Sequence, residues 1–69
     1  MREQPLNRVA LLKEALMCDR LIARTGTRRH DLCEEAVQYG LMVRGRKTAG
    51  LVVYYPRREP ILAAIDEEL

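Results

Sequence analysis

A short basic run lies just before a predicted helix near the middle of this 69-residue chain. The run is Thr27-Arg28-Arg29-His30, and it follows Gly26, a residue suited to the left-handed turn that ends a helix. A helix N-terminus has unpaired N–H groups and the positive end of the helix dipole, so it suits a phosphate. Phosphate contacts hold a nucleic acid without reading its bases. We therefore expect these four residues to contact a DNA backbone, the alternative being a solvated turn.

Two further groups of polar residues have side chains of types that bind DNA. In the first group, near a candidate N-terminal strand, a Gln or Asn side chain matches adenine and an Arg side chain matches guanine. The expected base contacts are Gln4, Asn7 and Arg8. The second group surrounds a predicted turn and would contact DNA if that turn were an exposed hairpin tip, the alternative being that it only keeps the tip soluble. Its members are Arg44, Arg46 and Lys47.

The sequence offers no residues arranged for catalysis or metal binding. The single histidine, His30, has no serine or cysteine nucleophile spaced to be activated by it. Glu34 and Glu35 occupy adjacent helical positions, which face different directions and do not form an acid–base pair. Cys18 and Cys33 cannot complete a zinc site with one histidine, and isolated cysteines are commonly core or boundary thiols. We expect no enzymatic activity, no cofactor and no metal.

Two amphipathic helices are predicted on either side of a hinge at Thr25-Gly26. Apolar residues recur close to every 3.6 positions over 12–22 and again over 32–41. Among them, Leu32 and Val37 are expected to be buried. The segment 6–11 fits either a short strand or the first turns of a helix, because Pro5 favours extended backbone and the leucines that follow favour helix.

The remainder of the chain predicts a strand and a last helix. The β-branched and aromatic run 51–55 is typical of a strand, and 41–44 is a candidate partner for it in a hairpin. Pro60 suits the first turn of a short helix over 61–69. We expect one DNA-binding domain over 1–69, with a two-helix core and N-terminal strand over 5–41 and a C-terminal extension over 42–69.

The central stretch resembles the ribbon-helix-helix regulators. In this chain Leu21-Ile22-Ala23-Arg24-Thr25-Gly26 is followed by a polar turn, then by Asp31-Leu32-Cys33-Glu34-Glu35-Ala36-Val37 and Gly40-Leu41. The resemblance covers roughly residues 9–41, although His30 stands where the family usually has a capping serine. It implies an intertwined homodimer, mainly α with short β, whose paired N-terminal strands enter the major groove while the starts of the second helices hold phosphates. The implied function is a sequence-specific transcriptional regulator, acting as a repressor.

A winged helix is the alternative fold. In that interpretation helices lie over 12–17, 19–25 and 27–39, and the hairpin over 42–55 is a DNA-binding wing. It explains the C-terminal half better, but the interval between Gly26 and Gly40 is short for a recognition helix and its exit. We favour the ribbon.

Length and charge complete the expectations. A chain this short buries a small fraction of its surface, so we expect a homodimer. The net charge is only +2, but residues 24–47 hold six basic and three acidic side chains, whereas the C-terminus is acidic. Without a signal peptide or long apolar span, a cytoplasmic protein with no membrane contact is expected. The alternative function is a protein-interaction module of the antitoxin or adaptor type, with a partner on the C-terminal extension.

Overall fold

The chain forms three helices and three strands over the residues that the structure describes. The computed structural model describes residues 7–68, apart from the side chain of Glu68. The elements in order are α1 Arg8–Leu16, β1 Leu21–Arg24, α2 Arg28–Gln38, β2 Met42–Thr48, β3 Leu51–Pro56 and α3 Arg58–Glu68. No helix in this part of the chain is long and apolar enough to cross a membrane.

The strands form one antiparallel sheet in the order β1-β3-β2. Strand β3 is central, and its Val53 is paired with Ile22 of β1, while its Tyr55 is paired with Val43 of β2. The β2–β3 hairpin turns at Ala49 and Gly50, both with positive φ, which matches the twist of a two-residue hairpin. The hairpin therefore forms locally, whereas β1 joins it from a distant part of the chain.

The core lies between the helices and one face of the sheet. Burial alternates along β1 and β3, so that alternate side chains face inward. Helix α1 adds Leu11 and Leu12, and α3 adds Ile61 and Ile65. The other buried apolar residues are Ala15, Leu21, Ala23, Cys33, Ala36, Leu41, Met42, Val52 and Tyr54. The core thus draws on all six elements.

Two helices begin at side-chain caps. The Asn7 side chain accepts a hydrogen bond from the backbone N–H of Ala10 at 2.9 Å and starts α1. Thr27 Oγ1 accepts from the backbone N–H of His30 at 3.2 Å and starts α2. Each cap accepts a hydrogen bond from one of the backbone N–H groups that have no partner within the first turn of a helix.

The predicted ribbon-helix-helix fold is wrong. Residues 8–16 form α1, and Asn7 is its cap, so the described part of the chain has no N-terminal strand to pair across a dimer. The first helix was expected to run to the Thr25-Gly26 hinge, but Leu21–Arg24 is strand β1. Pairing with β3 buries the side chains of Leu21 and Ala23 on one face of the sheet. The stability gained from this pairing and burial outweighs the helical propensity of Leu21 and Ala23.

The winged-helix alternative is also wrong in its second helix, because β1 occupies the predicted helix over 19–25. The helix expected over 27–39 is confirmed as α2, the hairpin over 42–55 as β2 and β3, and the last helix as α3. Leu32 and Val37 are half-buried against the core, which is filled at α2 by Cys33 and Ala36 instead. Cys33 is buried as expected, but Cys18 is exposed.

Candidate nucleic-acid interface

The start of α2 is tied to the tip of the β2–β3 hairpin. Both the backbone N–H and the Oγ1 hydroxyl of Thr25 donate to the carbonyl oxygen of Gly50, at 2.8 and 3.2 Å. Arg24 is paired with Leu51, which is itself paired with Thr48. Neighbouring strands lie about 4.8 Å apart, so the ends of β1 and β2 are separated by about 10 Å. Two basic segments far apart in sequence therefore meet at one end of the molecule.

We call Arg24, Arg28, Arg46 and Lys47 the basic end. All four side chains are exposed. Within residues 7–68, Arg24, Arg46 and Lys47 form no ion pair, so their charges face solvent. The nearest carboxylate in sequence is the exposed Asp31, in the first turn of α2. This end of the molecule thus combines four cations, one carboxylate and the amides of a helix start, an arrangement that attracts phosphate.

Thr27 shapes the turn between β1 and α2. Its Oγ1 accepts from His30 and also donates to the carbonyl oxygen of Arg24 at 2.7 Å. Gly26 adopts a φ of 86°, which an L side chain rarely adopts, and it turns the chain from β1 into α2. Because these contacts occupy the Thr27 hydroxyl, its part is to fix where the helix begins.

Arg29, expected to contact phosphate, holds the fold together instead. Its guanidinium donates to both carboxylate oxygens of Glu14 on α1, at 2.9 and 2.7 Å, and its Nε donates to the Ile22 carbonyl at 3.1 Å. The hydrogen bonds from Arg29 lower the pKa of Glu14. One side chain of α2 thus joins α1 and β1, and it does not belong to the basic end.

Three polar side chains surround the carboxylate of Glu34. Arg44 forms a bidentate ion pair with this carboxylate, and the Tyr54 hydroxyl donates a hydrogen bond to it at 2.5 Å. His30 Nε2 lies 3.8 Å from a Glu34 oxygen, and the buried His30 Nδ1 has no hydrogen-bond partner within the described chain. The Arg44 and Tyr54 hydrogen bonds lower the pKa of Glu34 to about 2. The pKa of Tyr54 is raised, mainly because the hydroxyl is buried and also because it donates a hydrogen bond to Glu34.

This cluster changes the parts expected of Arg44 and His30. Arg44 directs its charge to Glu34 and so differs from Arg46 and Lys47, which stay available at the basic end. His30 packs half-buried on the inner side of α2. Its ring nitrogens lie 4.0 Å from Asp31 and 3.8 Å from Glu34, and its backbone N–H completes the Thr27 cap, so the side chain packs against α2 and the Glu34 cluster.

Two of the three expected base contacts, Asn7 and Arg8, are engaged in contacts within the fold. Gln4 lies outside the described residues. Asn7 uses its side chain as a helix cap, and Arg8 pairs with Glu35 at 2.6 Å and lies over the Tyr39 ring. A shallow groove between the start of α1 and α2 is lined by Asn7, Arg8 and Arg28, among other residues.

The joining of the two basic segments is the feature that sequence analysis missed. Arg24 was assigned to the end of a helix and therefore received no part in binding. Burial alternates along Leu21–Arg24 only in the structure; in the sequence three apolar residues precede Arg24, so no local pattern indicated a strand ending beside the hairpin tip.

Among the described residues, no group of three or more His, Cys, Asp or Glu side chains could hold a metal ion. Comparison with protein-family models, curated proteins and solved structures finds no match to this chain.

Proposed function

We propose that this protein binds double-stranded DNA through the basic end and acts as a small transcriptional regulator of the repressor type, in the cytoplasm. The observation that carries the proposal is the pair of hydrogen bonds from Thr25 to Gly50, which places the start of α2 beside the hairpin tip. A DNA backbone that reaches the helix amides at the start of α2 therefore also lies near the exposed Arg46 and Lys47 of the hairpin.

The charges on α2 decide how the helix would approach DNA. Asp31, Glu34 and Glu35 lie along its length, and carboxylates are repelled by phosphates. A helix lying in a groove would bring them close to both backbones. The helix therefore meets DNA end-on with its N-terminus, and the hairpin supplies the second contact. Such an interface consists mainly of backbone contacts, so it supplies affinity more than base discrimination.

The salt dependence of binding tests the proposal directly. Each phosphate neutralised by a cation contributes about 0.9 to the slope of log affinity against log salt, so Arg24, Arg46 and Lys47 alone predict a slope of about 3. Binding of a short fluorescent duplex, followed by anisotropy at several salt concentrations, gives this slope.

Two double variants separate the site from general charge. Arg46→Ala/Lys47→Ala removes two charges from the basic end, and Lys13→Ala/Arg58→Ala removes two exposed charges from α1 and α3. The first should lose about tenfold or more in affinity at low salt and lower the slope by about two. The second should keep the slope. Equal losses in both variants would show that only net charge matters and would overturn the proposed site, as would a wild-type protein that fails to bind at low salt.

A further inference from the structure

The sheet face turned away from the helices is apolar and exposed. We call Ile22, Val43, Leu51, Val53 and Tyr55 the outer sheet face. Ile22 is 46% exposed, Val43 53% and Tyr55 46%, and they form two cross-strand pairs, Ile22 with Val53 and Val43 with Tyr55. Contiguous exposed apolar residues of this kind mark an interaction surface.

The surroundings of this face are basic. None of the three strands contains an aspartate or a glutamate. Arg24 ends β1, Arg20 precedes it and Arg57 follows β3, and all three side chains are exposed. The exposed Asp19, next to Arg20, is the one acidic residue within two positions of a strand, so the basic residues outnumber it. The surface that covers the outer sheet face should therefore have an apolar centre and carboxylates at its margin.

Helix α3 carries a surface of that chemistry. Its buried side, Ile61 and Ile65, packs into the core. The opposite side has Leu62, which is 43% exposed, next to the exposed Ala63. Helical spacing puts these two residues on one stripe with exposed carboxylates at both ends. We call this the α3 stripe, and its members are Glu59, Leu62, Ala63, Asp66 and Glu67.

We propose that the α3 stripe of one copy of this chain docks on the outer sheet face of a second copy. The two surfaces cannot meet within one molecule, because each is the outward side of an element that packs into the same core. Their charges are opposite, and their apolar centres match. Helix α3 has 11 residues, so it is about 16 Å long, close to the roughly 20 Å of the six-residue strand β3.

The charges also disfavour the symmetric arrangement. Packing two outer sheet faces against each other would bring Arg20, Arg24 and Arg57 of both copies together with no carboxylate from any strand between them. Docking α3 on the sheet supplies three carboxylates instead. The contact is heterologous, so each added copy leaves one free outer sheet face and one free α3 stripe, and association continues into short rows. One helix on a three-stranded sheet is a small interface, so the association is weak and depends on concentration.

A pair of complementary variants tests this arrangement in solution without DNA. Val43→Glu places a carboxylate on the outer sheet face of edge strand β2, and Leu62→Glu places one on the α3 stripe. Sedimentation of the wild-type chain should show an average mass that rises with concentration past twice the monomer mass of 8.0 kDa. Each variant alone should remain at the monomer mass. An equimolar mixture should reach twice that mass and stop, because only one intact pair of surfaces is then available.

Two further variants serve as controls for the docking of the α3 stripe on the outer sheet face. Ala10→Glu, on an exposed position of α1, should associate as the wild type does, and circular dichroism shows whether each variant is folded. Ile22→Glu, on the other edge strand, replaces Val43→Glu if the latter unfolds. A wild-type chain that stays monomeric, or a mixture that fails to dimerise while the wild type associates, overturns the proposal. The Arg46→Ala/Lys47→Ala variant should still associate, which separates this proposal from DNA binding.

Discussion

Glu34 is the residue that joins α2 to the sheet. Its carboxylate accepts from Arg44 of β2 and from Tyr54 of β3, so a single side chain fixes the helix against two strands. Tyr54 is fully buried, and its hydroxyl depends on this acceptor. Arg29 makes the equivalent connection on the other side of α2, toward α1 and β1. Arg29 and Arg44, which the sequence suggested as DNA contacts, thus form ion pairs that hold α2 against α1 and against the sheet.

Glu34→Ala should destabilise the fold by about 1–3 kcal/mol, because it leaves the buried Tyr54 hydroxyl without an acceptor. Urea unfolding at neutral pH measures the change. The matched control is Glu35→Ala, which breaks only the exposed pair with Arg8 and should cost much less. Adding Tyr54→Phe to Glu34→Ala should recover part of the loss, and a fully additive pair would contradict the proposed dependence.

The same carboxylate gives the protein an acid-sensitive stability. The pKa of Glu34 falls from its ordinary 4.5 to about 2, so the unfolded chain binds more protons than the folded chain between these values. The stabilising effect of ionised Glu34 is therefore fully present above about pH 4.5 and is lost as the pH falls toward about 2. In urea unfolding, the stability difference between wild type and Glu34→Gln should be constant near neutrality and shrink steadily across this window. A difference that is undiminished at pH 2 would refute the assignment.

Arg29→Ala should lower the unfolding free energy by about 1 kcal/mol, since its pair with Glu14 is partly exposed. Its effect on the salt slope of DNA binding should be small. Arg24→Ala should behave in the opposite way, with an unchanged melting temperature and a slope reduced by about one. Thermal melts and duplex titrations of the two variants make the comparison, and a reversed result would place Arg29 in the interface.

Most of the helices and strands of this chain can be predicted from local sequence patterns, but strand β1 cannot. Helix α2, the hairpin and α3 follow from local signals: a Thr cap, a Gly at the turn and a Pro in the first turn of the last helix. Strand β1 does not, because a four-residue run of common helix formers becomes a strand only when β3, almost 30 residues later, pairs with it. For the same reason the basic segment at α2 was predicted, whereas its junction with the hairpin tip was not.

The hairpin turn contains one residue poorly suited to its backbone. Ala49 has a φ of 52°, and its neighbour Gly50 has a φ of 80°. Asn tolerates this conformation better than Ala, and Asn-Gly is the preferred pair for such a turn. Ala49→Asn should therefore stabilise the protein by up to about 1 kcal/mol and raise its melting temperature. Ala10→Asn, within α1, should lower it. A lower melting temperature for Ala49→Asn would argue against this turn geometry.

At the scale of the whole molecule, a net charge of +2 conceals strong segregation. Basic side chains gather where β1, α2 and the hairpin meet, and acidic ones lie along the outer side of α3. Between them is a core of aliphatic residues, Cys33, Met42 and one tyrosine, without phenylalanine or tryptophan. The same small core therefore holds two differently charged surfaces in place, and loss of its packing would disable both.

Leu12→Ala should cost about 2–5 kcal/mol, because Leu12 is fully buried and a small domain has little capacity to close the cavity. Leu32→Ala should cost less, since Leu32 is half-buried at the edge of the core. Urea denaturation of the two variants ranks them, and a larger loss for Leu32→Ala would mean that α2 packs more deeply than described.

The two cysteines differ in a way that is useful for watching the molecule. Cys33 is completely enclosed and burial raises the pKa of its thiol to about 11, whereas Cys18 is exposed just before β1. A maleimide dye should therefore label Cys18 alone in the folded protein, at the end of β1 away from Arg24 and the hairpin tip. Because Cys33 is buried, the rate at which the dye labels Cys33 then reports the opening of the folded core. Unlabelled protein must be kept under reductant, because oxidation of Cys18 would link two chains covalently, and that disulfide could be mistaken for docking of the α3 stripe on the outer sheet face.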